Sequence, residues 1–174
     1  SSGKCVLFHN NGDGTFSQIS TGSPVNDIGN GIFAFWGDYD NDGALDLFVS
    51  TVANQKNWLY HNNGTPNRWL IIKLRGTRSN AAAFGAKVRV QATVNGKTFW
   101  QMRQIAGGWC DDLRAHFGLG NATKVTTLRI EWPSGAVQEF ANVTPNQFLT
   151  IWEPPAVSAT VRAGGACELT VKAE

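Results

Sequence analysis

Four aspartates crowd into one nine-residue segment, at its first, third, fifth and ninth positions: Asp38, Asp40, Asp42 and Asp46. Alternate carboxylates in a tight turn can point to one centre, and Ca²⁺ takes six to eight oxygen ligands at about 2.3–2.6 Å. Gly43, at the sixth position, permits the sharp chain reversal that such wrapping needs. The spacing therefore predicts a calcium site with these ligands: Asp38, Asp40, Asp42, the Ala44 carbonyl and Asp46.

The loop differs from a helical calcium-binding loop in its last position and its flanks. Val49 stands at position 12, where an EF-hand places a bidentate glutamate. Apolar residues on both sides, 33–36 and 45–49, predict β-strands instead of helices. The alternative is a solvated acidic turn, but no Lys or Arg occurs between Lys4 and Lys56 to offset the repulsion of four carboxylates. Mg²⁺ fits less well than Ca²⁺ because it keeps its own waters.

The elements that carry the loop belong to a sequence repeat. Leu-Phe-His-Asn-Asn-Gly at residues 7–12 recurs as Leu-Tyr-His-Asn-Asn-Gly at residues 59–64. Sequence repeats of this length that are built from β-strands are typical of propeller blades, and one blade cannot bury its own faces. Either the segment ends a longer array, as part of a larger chain, or the domain that follows covers its open edge. A second acidic turn, 10–14, has one carboxylate and predicts a plain hairpin.

The rest of the chain predicts strands and no helix. Residues 87–94 alternate between apolar and polar, and Asn95-Gly96 is the preferred pair for a tight hairpin turn. The prediction is an all-β protein with a propeller-type calcium-binding repeat at residues 1–66. A β-sandwich-like domain follows at residues 67–153, and a Pro-Pro linker with terminal strands occupies residues 154–174.

Charge is distributed unevenly along the chain. The net charge of +2 combines −5 in residues 1–55 with +7 in residues 56–174. The basic residues are spread over predicted strands, which indicates solvated faces and no nucleic-acid site. The sequence contains no run of 18 apolar residues, so no membrane insertion is expected. The cysteines Cys5, Cys110 and Cys167 allow one disulfide, and the sequence does not select the pair.

Several motifs carry a resemblance to known families. Residues 37–49 resemble the FG-GAP/VCBS repeat of integrin-type β-propellers, and residues 7–16 are similar to a hairpin of the same repeats. Residues 67–152 resemble an ASPIC/UnbV domain, through segments 67–70, 76–80, 84–88, 113–120 and 130–135. The same arrangement is typical of cartilage acidic proteins. The resemblance implies an extracellular protein whose repeats act in calcium-stabilised adhesion or ligand display, with no general catalytic residue set.

Aromatic residues supply the candidate recognition site. Trp109 follows Gly107-Gly108 in a loop with two acids and a base, a combination that could hold a sugar. The candidate ligand-binding residues are Trp100, Trp109, Asp111, Asp112 and Arg114. Four other tryptophans are expected in the core: Trp36, Trp69, Trp132 and Trp152.

The favoured hypothesis is a non-catalytic, calcium-binding extracellular module that recognises carbohydrate or a protein surface. One alternative is a purely structural cap or spacer of a larger secreted protein. Another is a polysaccharide-active enzyme, with carboxylates among Asp111, Asp112 and Glu131. Paired carboxylates are common on protein surfaces, so we favour a binding role over catalysis.

Overall fold

The computed structural model describes residues 5–52, 54–108 and 112–156, together with the backbone of 160–161 and 167–168. The described residues form β-strands and no helix, which confirms the all-β prediction. No helix is long and apolar enough to cross a membrane within this part of the chain. The chain divides into two compact units, residues 1–65 and residues 66–174.

The first unit contains a hairpin and a three-stranded antiparallel sheet. Its strands are β1 (Leu7–Asn10), β2 (Phe16–Ile19), β3 (Gly31–Gly37), β4 (Asp46–Thr51) and β5 (Trp58–Tyr60). The sheet has the order β3-β4-β5. The β1–β2 turn is closed by the Asn11 amide on the Thr15 carbonyl at 3.0 Å, and Asp13 accepts from the Thr15 hydroxyl at 2.6 Å. The prediction of a plain hairpin there is confirmed.

The sheet of the first unit carries apolar side chains on both faces. Leu47 and Val49 are buried on one face, while Phe33, Phe35 and Phe48 stack on the other with ring centroids 6.1 Å apart. Trp36 is 51% exposed, so the prediction that it lies in the core is wrong. Its face of β3 also carries exposed Ala34, because the sheet has apolar residues on two faces and this unit covers them incompletely.

The second unit contains two packed sheets and a separate pair of short antiparallel strands. The strands of the sheets are β6 (Arg68–Arg75), β7 (Lys87–Val94), β8 (Lys97–Gln104), β9 (Arg114–Gly120), β10 (Val125–Glu131), β11 (Val137–Val143) and β12 (Gln147–Trp152), and the separate pair is β13 (Thr160–Val161) and β14 (Cys167–Glu168). One sheet has the order β11-β10-β7-β8 and is antiparallel; the other has the order β12-β6-β9. In the second sheet β6 pairs in parallel with β12 and antiparallel with β9.

The inner faces of the two sheets share one core. The three-stranded sheet contributes Leu70, Ile72, Leu74, Ala115, Phe117 and Leu119, and the four-stranded sheet contributes Val88, Val90, Ala92, Leu128 and Ile130. Alternation along each strand places every second residue in this core. The result is the predicted β-sandwich. At the predicted hairpin, Asn95 and Gly96 both have positive φ, as a type I′ turn requires.

Three tryptophans of the second unit test the core prediction. Trp132 is 4% exposed, and its indole N–H donates to the Gln138 side-chain oxygen at 2.7 Å, so the prediction is confirmed for this residue. Trp69 is half-buried. Trp152 is 62% exposed, and its core assignment is wrong. Alternation identified the face that Trp152 shares with Phe148 but did not show that this face points outward.

A buried carboxylate ties the end of β12 to two turns. Glu153 Oε2 accepts the backbone N–H groups of Thr77, Arg78 and Ser79 at 2.9, 2.8 and 2.7 Å, and Oε1 accepts the hydroxyls of Ser79 and Ser134. Burial alone would raise the pKa of Glu153, but these hydrogen bonds lower the pKa to about 2. Glu153 is therefore a fixed anion inside the second unit.

Candidate metal centre

The acidic loop connects β3 to β4 in the first unit. Gly37 and Asp46 face each other at the end of the two strands, so the loop between them is a closed β-hairpin connection. Asp38, Gly43 and Asp46 are buried, whereas Asp40 and Asp42 are exposed. The strands therefore fix the two ends of the loop, and the middle of the loop faces solvent.

Backbone amides of the loop donate hydrogen bonds to carboxylates of the same loop. Asp38 accepts from the amides of Asp42 and Gly43, each at 3.1 Å. Asp40 accepts from the Asp42 amide at 3.2 Å, and Asp42 accepts from the Ala44 amide at 2.7 Å. Gly43 has a φ of 91°, a conformation that costs glycine little. The glycine at the sixth position thus makes the reversal that the spacing predicted.

Three of the carboxylates converge. One oxygen from each of Asp38, Asp40 and Asp46 lies within 4.8 Å of the others. Two oxygens that share one Ca²⁺ at about 2.4 Å each can be at most about 4.8 Å apart, so the group fits such an ion. The predicted ligand Asp42 lies in a second, overlapping group with Asp40 and His61. The predicted ligand role of the Ala44 carbonyl stays a prediction.

His61 and Asn62, which follow β5, were not identified as site residues from the sequence. His61 Nδ1 lies 3.2 Å from Asp46 Oδ1 and 3.5 Å from Asp40 Oδ2. The Asn62 amide donates to Asp46 Oδ1 at 2.8 Å, and its side chain donates to the Leu45 carbonyl at 3.1 Å. The signal was present in the repeat, because both residues belong to its second copy, but the repeat alone did not show that this copy closes over the loop.

The donor chemistry distinguishes the two overlapping groups. Asp38, Asp40 and Asp46 offer only oxygen, which suits a hard cation such as Ca²⁺. The second group adds the imidazole nitrogen of His61, which calcium does not take and transition metals accept. Because Asp38 and Asp46 are buried while Asp42 and His61 are exposed, the oxygen-only group is the better-enclosed site.

Of the predicted recognition residues, the structure describes Trp100, Asp112 and Arg114. Trp109 and Asp111 are outside the described residues, as is Cys110. Asp112 pairs with Arg114, with 2.6 Å between the carboxylate oxygen and Nε, at the start of β9. Trp100 is 47% exposed on β8, opposite Gln91 on the outward face of the four-stranded sheet. Arg114 is on the outward face of the three-stranded sheet, so the sandwich separates it from Trp100.

The other sequence candidates have structural partners. Glu131 lies within 3.2 Å of Arg129 and 3.1 Å of Arg89, and hydrogen bonds from these guanidinium groups lower the pKa of Glu131. A lowered pKa is the opposite of what a general acid needs at neutral pH. Cys5 is a free thiol, and the side chains of Cys110 and Cys167 are outside the described part of the chain.

The fold and the loop define an all-β protein in which a repeat-type unit with an acidic loop precedes a β-sandwich. Comparison with known families gives the same division. The model of the FG-GAP-like repeat matches residues 1–49, and the ASPIC and UnbV model matches residues 76–158. The chain therefore contains a region that matches an FG-GAP-like repeat and, after it, a region that matches an ASPIC and UnbV domain.

The chain is similar to proteins from three vertebrates. The chain is 31% identical over 158 residues to cartilage acidic protein 1 of mouse and of human. This match covers 86% of the chain but only 24% and 23% of those proteins. Cartilage acidic protein 1 of Xenopus tropicalis is 31% identical over 132 residues, which are 72% of the chain and 20% of that protein. The chain thus spans about a quarter of the length of these relatives.

Proposed function

We propose that the chain is a non-catalytic, extracellular recognition module whose first unit is stabilised by Ca²⁺. The convergence of Asp38, Asp40 and Asp46 within 4.8 Å is the observation that carries the metal assignment. Asp42 and the Ala44 carbonyl would complete the ligand set. The match of residues 1–49 to a repeat family of calcium-binding type supports the same assignment.

The role of the ion is structural. The loop joins β3 to β4, and His61 and Asn62 after β5 contact the same carboxylates. An ion at this centre would therefore tie all three strands of the sheet together. It would also offset the repulsion among carboxylates in a unit whose first 55 residues carry a net charge of −5.

The recognition role rests on the family and on the exposed side chains. The relatives are named for cartilage, which supports an extracellular location and a ligand in the matrix, either carbohydrate or protein. Two of the three candidate carboxylates of an enzyme, Asp112 and Glu131, lie in ion pairs, which supports a binding role over catalysis. Retention of the full chain on a panel of polysaccharides and matrix proteins tests this role, and a protein that binds none of them would be a structural spacer.

Removal of calcium tests the metal site directly. An ion bound only by the folded state stabilises it by about 2.7 kcal/mol when its concentration is a hundred times the dissociation constant. We expect EGTA to lower the melting temperature of metal-loaded protein and added CaCl₂ to restore it. Asp40→Asn should abolish most of this difference, because Asp40 is exposed and removing its charge leaves the buried hydrogen bonds of Asp46 in place.

The matched control is Asp13→Asn, in the other acidic turn of the same unit. Asp13 accepts hydrogen bonds from Thr15 and lies outside both groups of converging ligands. It should keep the full response to EGTA. A metal-loaded protein that melts at the same temperature with and without chelator would contradict the site, as would an equal loss of response in both variants.

A further inference from the structure

One outward face of the second unit combines cations with aromatic rings. In the three-stranded sheet, Leu70, Ile72 and Leu74 of β6 point into the core, so the alternate residues point outward. The outward positions of the three strands include Lys73 and Arg75 on β6, Arg114 and His116 on β9, and Phe148 and Trp152 on β12. We call this set the basic aromatic face.

Positive charge on the basic aromatic face is only partly compensated by the described residues. Strands β6, β9 and β12 contain Arg68, Lys73, Arg75 and Arg114 and no Asp or Glu. Arg114 pairs with Asp112, but Lys73 and Arg75 form no ion pair with any described residue. Lys73 also stands directly opposite Arg114 in the antiparallel register. Because Asp112 offsets the charge of Arg114, Lys73 and Arg75 are the cations of this face that remain for an anionic ligand among the described residues.

The aromatic part of the face is held in place before any ligand binds. The rings of Trp69 and Phe148 meet edge to face with centroids 5.0 Å apart, and Ile71 on the same face is only 2% exposed. The Arg114 guanidinium carbon lies 6.0 Å from the Phe148 centroid. Trp152, which lies four residues after Phe148 on β12, is 62% exposed. An ordered surface loses less conformational freedom on binding, which favours affinity.

Trp152 and the free cations are close neighbours. Trp152 is paired with Arg75 across the parallel strands, which are about 4.8 Å apart. Lys73 is two residues before Arg75 on the same strand, at about 7 Å. An extended ligand that covers the indole therefore comes within reach of both cations at once.

The outward face of the other sheet differs in charge. Arg89 and Arg129 lie within 3.2 Å of Glu131, and Arg129 also pairs with Glu139 at 2.5 Å. There the charges of Arg89 and Arg129 are neutralised by carboxylates on the same sheet. The basic aromatic face is thus a local feature of one sheet and does not follow from the general basic excess of the second unit.

We propose that the basic aromatic face binds an acidic polysaccharide, an inference that rests on the recognition role proposed above. Uronate or sulfate groups would accept hydrogen bonds from Lys73 and Arg75. A sugar ring would place its C–H groups against the exposed indole of Trp152, which offers a large rigid apolar surface. The face places two cations next to one exposed indole ring. An acidic polysaccharide likewise carries charged groups next to sugar rings along its chain.

The test measures binding of the full chain to four polymers at 0.15 M NaCl. Heparin carries sulfate groups, polygalacturonate carries carboxylates alone, dextran is neutral, and a single-stranded oligonucleotide is a polyanion without sugar acids. We expect binding to heparin or polygalacturonate that weakens with added salt. The double variant Lys73→Gln, Arg75→Gln should lose at least about ten-fold in affinity. Trp152→Ala should lose about three- to ten-fold, with Trp152→Phe between it and the wild type.

The charge-matched control is Lys87→Gln, Lys97→Gln, two exposed lysines of the other sheet. It changes the net charge equally and should bind as the wild type does. An equal loss in this control, no effect of Trp152→Ala, or tighter binding to the oligonucleotide than to either acidic polysaccharide would overturn the assignment. If the protein binds dextran and the variants of the basic aromatic face do not change that binding, the assignment of this face is wrong but the recognition role stands. Failure to bind any of the three polysaccharides would overturn the face and the carbohydrate form of that role.

Discussion

Replacement of Glu153 by glutamine should destabilise the second unit strongly. All five groups that contact the carboxylate are donors: the amides of residues 77–79 and the hydroxyls of Ser79 and Ser134. A carboxylate accepts at both oxygens, whereas a glutamine amide presents an NH₂ group at one end. The variant therefore replaces charge-assisted hydrogen bonds by neutral ones and forces the two hydroxyls to accept instead of donate, in a site where the side chain is 2% exposed.

The pKa of Glu153 gives the magnitude. The pKa is about 2 in the folded chain and 4.5 without the fold. At about 1.36 kcal/mol per unit, the charged form stabilises the fold by about 3 kcal/mol at neutral pH. Because the folded pKa is the lower one, this contribution is complete above about pH 5 and is lost as the pH falls toward 2.

The assay is urea unfolding of wild type and Glu153→Gln between pH 7 and pH 3, followed by intrinsic tryptophan fluorescence. We expect a difference of about 3 kcal/mol in the free energy of unfolding at pH 7. This difference in the free energy of unfolding should narrow by about 2 kcal/mol at pH 3, since the wild type has then lost most of the stabilisation by the charged Glu153. Hydrogen exchange of the amides of Thr77, Arg78 and Ser79 should be faster in the variant.

Glu139→Gln provides the control for loss of one negative charge. Glu139 is exposed and pairs only with Arg129 among the described residues, so its replacement should leave the transition nearly unchanged. Equal stability of wild type and Glu153→Gln at pH 7 would refute the reasoning. A gap that stays constant down to pH 3 would refute the assignment of the pH dependence to Glu153.

Two further substitutions each test one contact, one in the second unit and one in the first. Gly76→Ala should lower the melting temperature of the second unit, because the added Cβ would lie 2.1 Å from the Asn80 carbonyl oxygen. Gly118→Ala is the control in these thermal melts, because its added Cβ would have no atom within 4 Å. Tyr60→Phe should cost the first unit about 1 kcal/mol in denaturant titrations, because the Tyr60 hydroxyl donates to Asp27 at 2.7 Å. Burial and this hydrogen bond raise the pKa of Tyr60, so the loss should be constant between pH 6 and pH 9. A milder effect of Gly76→Ala than of Gly118→Ala, or an unchanged midpoint for Tyr60→Phe, would contradict these contacts.

Local patterns in the sequence were sufficient for the elements and for the acidic loop. The alternation in 87–94 and the Asn95-Gly96 pair depend on backbone geometry within a few residues, and the structure has the hairpin they predict. The spacing of Asp38, Asp40 and Asp46 is likewise local, because one turn with its reversal at Gly43 brings the three carboxylates together. Short-range steric and hydrogen-bonding rules govern such features, so they can be read from sequence.

Contacts between distant segments were decided only by the tertiary structure. Glu153 meets residues 77–79 across more than 70 positions, and His61 reaches Asp46 from the second copy of the repeat. Trp152 was expected in the core, yet it lies outward beside Arg75. Alternation shows which residues share a face of a strand, but the choice of the face that is buried depends on which sheet packs against it. For that reason the sequence by itself determined the strands and the acidic loop, whereas the pairing of β6 with β9 and β12 assembled the basic aromatic face.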